Sequence, residues 1–398
     1  MKVFILSGRF GFGHEMAANA VREEFRRQDP EAVVIQKDLP SYFSPFISRI
    51  IYKVFGLVAE RYHGIYNLVY KISGKMNSGN RPSSPLIYRK FCRMIEEYRP
   101  DVIVCTHPFC VKAAATYKAK SDSRILLVTC ITDISMHKEW YAGQTDLYLA
   151  PTVEVKDNLA GFGALPENVL VTGVPVRQQF LTQRALPDVS GSLDGTDGRK
   201  DKEAGKQVLI MGGGLGIMPE LDDILCTLHE MPGVKATVIT GKNQKLYEAW
   251  KGRFDDIEVL GYVEQIADCM RKADLVITKA GGITLFEILH SQVPMFVIRP
   301  FLEQEAVNAR YAQENGFARV VWDKNEDFTA ELQRLLEDSG RLEEMRKNIV
   351  RAQHEMMDTE LSGAVREIAR RGRKSVSEYS FRESDSLLAM LSGQRLCS

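Results

Sequence analysis

The sequence predicts an α/β chain of two doubly wound domains that face one cleft. Three observations carry this. Twelve short apolar, β-branched runs alternate with helical patterns along the 398 residues, the rhythm of parallel sheets with covering helices. A polar gap rich in Gly, Asp and Ser separates the runs into two sets of six. Glycine turns stand where several runs end, which is where open α/β sheets hold their ligands.

The first set is Val3–Leu6, Val33–Gln36, Val102–Thr106, Leu126–Ile131, Leu147–Ala150 and Val169–Thr172. The second is Val208–Met211, Lys235–Thr240, Ile257–Leu260, Leu275–Thr278, Met295–Ile298 and Ala318–Val321. Between them Pro187–Lys206 has no periodicity and reads as a flexible linker, with the boundary placed at Val174–Gly205. The predicted organisation is a first domain over 1–180, a linker over 181–206, a second domain over 207–355, and a C-terminal helix and tail over 356–398. The end, Lys374–Ser398, is polar apart from Leu387–Leu391.

Composition is that of a soluble globular protein, 44% hydrophobic and 26% charged, with a formal net charge of zero. No global field points to nucleic acid. Seven cysteines without CxxC spacing argue against a disulfide framework or a zinc site, and Cys105 and Cys110 read as buried thiols. Only Val3–Leu6 is apolar before Ser7-Gly8, too short for a signal-peptide core. No run reaches the roughly 18 apolar residues of a spanning helix. The expectation is a cytoplasmic protein, at most peripheral on the inner face of the cell membrane.

In the first half, the opening strand runs into Ser7-Gly8-Arg9-Phe10-Gly11-Phe12-Gly13-His14 and then a helical pattern. His14 stands where the turn becomes the helix. A helix N-terminus disfavours imidazolium, so the ring there suits proton acceptance; alternatively it caps or packs the turn. Asp133 and His137 follow another strand end. Asp133 either orients His14 or an acceptor, or caps a helix. His107, after Thr106, either lines the same pocket or closes a turn. From Ser44 to Arg93 there are nine Lys/Arg against one acid, a surplus of +8. Within it, apolar residues recur at helical spacing beside Arg49, Lys53, Lys71 and Lys75, with Phe55 among the aromatics. That pattern fits a helix lying in an anionic membrane surface; the alternative is a core-facing helix pair.

In the second half, the strand Val208–Met211 ends in Gly212-Gly213-Gly214, where backbone can approach a ligand closely. Tyr262 and Val263 follow a strand and can bracket a flat base. Gly281, Gly282, Ile283 and Thr284 start a helix and offer N–H groups to a diphosphate. Glu287, placed on the first helical turn, binds a ribose diol or closes a capping box with Thr284. Gln304, Glu305 and Asn308 suit sugar hydroxyls. Phosphate, ribose and sugar sites in this order suggest a nucleotide-sugar. No Asp-x-Asp follows an apolar strand, so a metal-held diphosphate is not indicated, and neutralisation falls to backbone donors. Walker A spacing is absent.

At these residues the chain resembles a family. ITKAGGITLFE and PMFVIRPFLEQEAVNARYAQENGFA are similar to the donor signature of the monogalactosyldiacylglycerol synthase and processive diacylglycerol glucosyltransferase group, which are GT-B glycosyltransferases, and also to the lipid II-forming GlcNAc transferase. GFGHEMAANAV, VTCITDISMHKEWY, TGVPVRQQF and LIMGGGLGIMPEL extend the resemblance over most of 1–323 in family order. It implies a GT-B fold of two Rossmann-like domains, the first for acceptor and membrane, the second for UDP-sugar. It also implies His14 as base, Gly13 beside the donor, Gly282 and Thr284 around the UDP diphosphate, Glu287 on ribose, and Gln304 and Glu305 on the donor sugar. The basic apolar segment, Phe46–Lys75, would meet the bilayer. Two departures stand out. Phe301-Leu302-Glu303 replaces the family's tight Pro-Gly turn, and Arg9, Phe10 and Phe12 are bulkier than its usual glycines. The implied activity is inverting, metal-independent and cofactor-free transfer of a hexose from a UDP-sugar to a lipid such as diacylglycerol. A GT-B UDP-GlcNAc 2-epimerase and a catalytically idle lipid-binding protein are the alternatives.

Overall fold

A computed structural model describes residues 1–11, 13–61, 84–121, 123–135, 137–181, 205–212, 220–356, 361 and 363–370. All twelve expected strands form, each within two residues of its expected bounds. They are β1 (Lys2–Ser7), β2 (Val33–Asp38), β3 (Val102–Cys105), β4 (Leu126–Cys130), β5 (Leu147–Ala150), β6 (Val169–Val171), β7 (Lys206–Met211), β8 (Val234–Ile239), β9 (Ile257–Leu260), β10 (Leu275–Thr278), β11 (Met295–Ile298) and β12 (Ala318–Val321). The described helices are α1 (Gly13–Gln28), α2 (Leu39–Phe43), α3 (Pro45–Arg61), α4 (Pro85–Tyr98), α5 (Pro108–Ser121), α6 (Val153–Phe162), α7 (Leu221–His229), α8 (Gln244–Trp250), α9 (Ile266–Lys272), α10 (Gly282–Ser291), α11 (Glu303–Glu314), α12 (Phe328–Glu337) and α13 (Ser339–Glu355).

The strands make two six-stranded sheets, ordered β2-β1-β3-β4-β5-β6 and β12-β11-β10-β7-β8-β9. Every pairing is parallel. Parallel strands are covered on both faces, which explains their continuous apolar runs: β3, β5 and β10 are buried along their whole length. Burying each Val, Leu or Ile there contributes about 1.5–3 kcal/mol. The strand order reverses between β1 and β3 in one sheet and between β7 and β10 in the other. Loops leaving such neighbours on opposite faces open a crevice at the carboxyl ends. This architecture is the two-domain, Rossmann-like α/β fold that the sequence predicts.

In the described residues the chain crosses between the two domains twice. After β6, residues 173–181 lie on the second domain: Val174, Val176 and Phe180 share a core with Ile266, Met270 and Phe286. Gln179 Oε1 accepts the Ala267 N–H at 3.1 Å, and the Gln179 carbonyl accepts from Arg271 Nη1 at 2.9 Å. Beyond α13 the chain returns, and Leu361 and Val365 pack with Val3, Ala18 and Phe25 of the first domain. Most of the expected linker and tail lie outside the described residues.

Candidate active site

The loop from β1 reaches α1 through Gly11, whose φ of +85° is a left-handed conformation open to glycine. Because α1 starts at Gly13, His14 lies in its first turn. His14 Nδ1 is 2.8 Å from the Thr106 carbonyl oxygen and 2.8 Å from Thr132 Oγ1. A carbonyl only accepts, so Nδ1 carries the proton and Nε2 the lone pair. Burial lowers the His14 pKa to about 4, opposed by the bond to the Thr106 carbonyl. The helix N-terminus acts in the same direction as burial. The ring is therefore neutral at pH 7 and suited to accept a proton at Nε2. Thr106 Oγ1 also donates to the His14 carbonyl at 3.0 Å, which ties the first turn of α1 to the end of β3.

The neighbours divide the expected roles among them. His107 lies edge-on to His14 with ring centroids 4.6 Å apart. Its Nδ1 accepts the Phe109 N–H at 3.1 Å, so it both closes the turn into α5 and lines the site. Burial first, and the nearby His14 second, push its pKa well below the usual value. Asp133 is buried and accepts the Ser135 N–H at 3.2 Å. The residue that meets His14 Nδ1 is its neighbour, Thr132. With Thr106 and Thr132 both at Nδ1, that atom is already fully coordinated.

In the second domain β10 hands over to α10 at Gly281, the N-cap, which offers no side-chain cap. The N–H groups of Gly282, Ile283 and Thr284 lie in the first turn, where helices have no internal acceptor. They point their dipole end toward the crevice. Glu287 is a residue of the second turn, not the first, and it closes no capping box. Its Oε1 accepts from Arg177 Nη2 at 2.9 Å and from Nε at 3.3 Å. Burial raises the Glu287 pKa, and Arg177 counteracts this. Asn308, fully buried on α11, donates from Nδ2 to the Ala280 carbonyl at 2.9 Å and so holds the turn before α10. Its Oδ1 and Glu305 Oε2 are buried with no hydrogen-bond partner among the described residues. Burial raises the Glu305 pKa, with Lys279 acting against it. Lys279 Nζ lies over the Phe301 ring at 4.2 Å, in the turn that departs from the family pattern. Gln304 is half-buried in the first turn of α11, Val263 is half-buried against the second domain's core, and Tyr262 is 66% exposed. Gly213 and Gly214 lie outside the described residues; Gly212 directly follows β7.

The two halves meet at these turns. A Cβ on Gly282 would stand 2.9 Å from the Thr132 carbonyl oxygen, and one on Gly13 would stand 3.7 Å from Ile283 Cγ1. The N-termini of α1 and α10 thus converge from opposite domains beside a neutral histidine. Such an arrangement attracts an anion and can take a proton from a group next to it.

The basic helix α3 turns Ser48 and Tyr52 inward and keeps its cations outside. Ser48 is buried and Tyr52 OH donates to Asp38 Oδ1 at 2.6 Å. Phe46 (72% exposed), Ile47, Ile50, Ile51, Val54 and Leu57 (53%) face solvent. Arg49 and Lys53 are exposed beside them, while Phe55 is half-buried. The core-facing alternative for this helix does not hold. Lys71 and Lys75 lie outside the described residues. No described helix is long and apolar enough to cross a membrane.

Thr132, Thr106, Arg177 and Lys279 carry no sequence pattern of their own. Thr132 was overshadowed by the charged Asp133 next to it. Arg177 had a signal: an isolated cation just after the last strand of the first domain, with a buried acid elsewhere needing a partner.

Known proteins agree with this architecture. The family described as monogalactosyldiacylglycerol (MGDG) synthase matches residues 14–176, and the glycosyltransferase family 28 C-terminal domain matches residues 208–361. The processive diacylglycerol beta-glucosyltransferase of Bacillus pumilus is 31% identical over 362 residues, covering 87% of this chain and 90% of that one. The Bacillus subtilis enzyme of the same name is 30% identical with the same coverage. Among solved structures, Acinetobacter baumannii MurG superposes with a TM-score of 0.60 at 14% identity, covering 93% of this chain and 99% of that one. The UDP-GlcNAc 2-epimerase of Neisseria meningitidis, bound to UDP-GlcNAc, gives 0.54 at 15% identity, covering 87% and 94%. At such identities these two speak for the fold alone. The chain is a glycosyltransferase and belongs to the GT-B family of monogalactosyldiacylglycerol synthases and processive diacylglycerol glucosyltransferases.

Proposed function

We propose that the enzyme transfers a hexose from a UDP-sugar to the hydroxyl of a membrane lipid, a diacylglycerol, with inversion at the anomeric carbon. The observation that carries this reading is the neutral His14, with Nε2 as acceptor, facing the N-terminus of α10. The lipid hydroxyl gives its proton to His14 Nε2 as its oxygen attacks the anomeric carbon. The bond from that carbon to the phosphate oxygen breaks, and UDP leaves with the electron pair. Attack opposite the leaving group inverts the centre. Charge growing on the diphosphate is met by the N–H groups of Gly282, Ile283 and Thr284 and by the helix dipole. With that neutralisation the reaction needs neither metal nor separate cofactor.

In the same reading Glu287 receives a ribose hydroxyl on Oε2, because Arg177 occupies Oε1. Tyr262 and Val263 flank the base, and Gly13 and Gly212 approach the donor. Gln304 and Glu305 face the hexose, and Glu305 Oε2, with no hydrogen-bond partner among the described residues, supports this; the buried Asn308 serves the sugar site by holding the turn before α10. The role proposed for Asp133 is to shape the 132–135 turn that carries Thr132. The solvent-facing apolar side of α3, flanked by Arg49 and Lys53, supports seating on a bilayer, and the anionic cytoplasmic leaflet is the surface its charge fits. The processive diacylglycerol glucosyltransferases named above support diacylglycerol as acceptor. The fold alone does not separate this reading from an epimerase, but α3 favours a lipid substrate over a soluble one. Incubation with labelled UDP-glucose, UDP-galactose and UDP-GlcNAc over mixed lipid extract tests it. Labelled glycolipid is expected. Vesicle binding without product indicates an idle lipid-binding protein, and neither binding nor lipid product favours the epimerase.

A further inference from the structure

An unbroken run of aromatic contacts joins α3 to the His14 ring, and Phe10 is its middle. The Phe10 ring meets Tyr52 edge-on at 5.1 Å and Phe55 edge-on at 5.5 Å, both on α3. It also stacks on His107 at 4.8 Å and 27°. His107 in turn lies edge-on to His14 at 4.6 Å. Gly8 leaves room for this fold: a Cβ there would lie 3.2 Å from Phe10 Cδ2 and 3.4 Å from His107 Cγ. A polar clamp runs alongside. Asp38 Oδ1 accepts from Tyr52 OH at 2.6 Å, its Oδ2 accepts from Ser41 Oγ, and Arg9 Nε stands 3.7 Å from that same Oδ2. The glycine loop thus meets α3 directly through Phe10, and Arg9 reaches it through Asp38, which holds Tyr52, although joining β1 to α1 requires only a turn.

We propose that Phe10 is a positioning residue that couples the seating of α3 on lipid to the placement of His14. This rests on reading α3 as the lipid-facing element and His14 as the base. A helix moves as a rigid unit, so a bilayer that fixes α3 fixes Tyr52 and Phe55. Through Phe10 that restraint reaches His107 and then the His14 ring, whose Nε2 must meet the acceptor oxygen. Without it, α3 still binds lipid and the Nδ1 bonds persist, but the ring loses the support of His107 that sets its tilt, and a misplacement of about 1 Å can cost on the order of 10²-fold in rate.

Hydrogen–deuterium exchange on the full chain tests the coupling, with vesicles of phosphatidylglycerol, phosphatidylcholine and diacylglycerol. In the wild type, vesicles should slow exchange both in α3 and in the 7–14 loop. In Phe10→Leu, which keeps apolar volume but loses the ring, α3 should still be protected and the loop should not. Its kcat should fall about tenfold or more, with KM for the UDP-sugar nearly unchanged, and Phe10→Tyr should restore both signatures. A loop protected equally in Phe10→Leu, or a wild-type kcat in that variant, overturns the proposal. If vesicles leave wild-type α3 exchange unchanged, the lipid reading of α3 fails and the coupling falls with it. The wild-type arm alone separates those failures.

Discussion

Arg177 and Glu287 fasten the 173–181 segment to α10 through a largely buried ion pair, with Nη2 donating to Oε1 at 2.9 Å. Glu287 is 6% exposed, so its charge depends on that partner. Burial raises its pKa from 4.5 and Arg177 lowers it. In Arg177→Met the folded value rises further. An acid with a raised folded pKa contributes stability that is fully present below its unfolded pKa and is lost as pH rises through the folded one. Arg177→Met should therefore lose about 3–5 kcal/mol at pH 7 and regain part of it toward pH 4.5. Adding Glu287→Gln should recover most of the loss. Denaturant unfolding at both pH values checks this; an equal loss at both contradicts it.

Glu287→Ala should weaken UDP binding by about tenfold or more, given about 1.5–3 kcal/mol for a hydrogen bond to a charged group. Calorimetric titration with UDP measures it. An unchanged Kd would leave Glu287 with only its bond to Arg177.

For His14, substitution by Ala should lower kcat by ~10²–10⁴ while UDP binding stays intact. Because burial holds its pKa at about 4, the acid limb of kcat/KM should lie near that value and not near 6.5. The base works only when unprotonated, so activity should fall as pH drops through the limb. Thr132→Val should cost less than tenfold, since the Thr106 carbonyl still fixes the Nδ1 proton. Steady-state kinetics across pH measures all three.

The fold was readable in sequence because parallel strands are buried on both faces and write themselves as apolar runs. The start of α10 was readable too, since a Gly-Gly turn after β10 punctuates strand and helix. The contacts that finish the site were not. His14 meets Thr132 across 118 residues, and Arg177 meets Glu287 across 110. Periodicity reports which face of an element is buried, not which distant side chain it meets. The outward apolar side of α3 was equally hidden, because a pattern of apolar spacing does not say whether core or solvent lies opposite.

Gly282→Ala should disturb the junction, because its Cβ would stand 2.9 Å from the Thr132 carbonyl oxygen. Pushing α10 away from the 132–135 turn should cost about 1–3 kcal/mol of stability and weaken UDP binding. Thermal denaturation and UDP titration check it; unchanged values would mean that the turn yields freely.

On α3, the double substitution Ile50→Glu and Val54→Glu should abolish flotation with anionic vesicles. Both side chains are exposed, 49% and 53%, so stability should change by no more than about 0.5 kcal/mol per site. Vesicle binding that survives the two charges would remove α3 from the membrane contact.

The most direct test is transfer itself. Purified wild type and His14→Ala are incubated with labelled UDP-glucose, UDP-galactose or UDP-GlcNAc and anionic vesicles containing diacylglycerol, and label is followed into the lipid phase. Label should enter glycosyldiacylglycerol with one of the donors in the wild type, at a rate lower by ~10² or more in His14→Ala. No lipid-phase label with any donor, or equal rates for the two proteins, would contradict it.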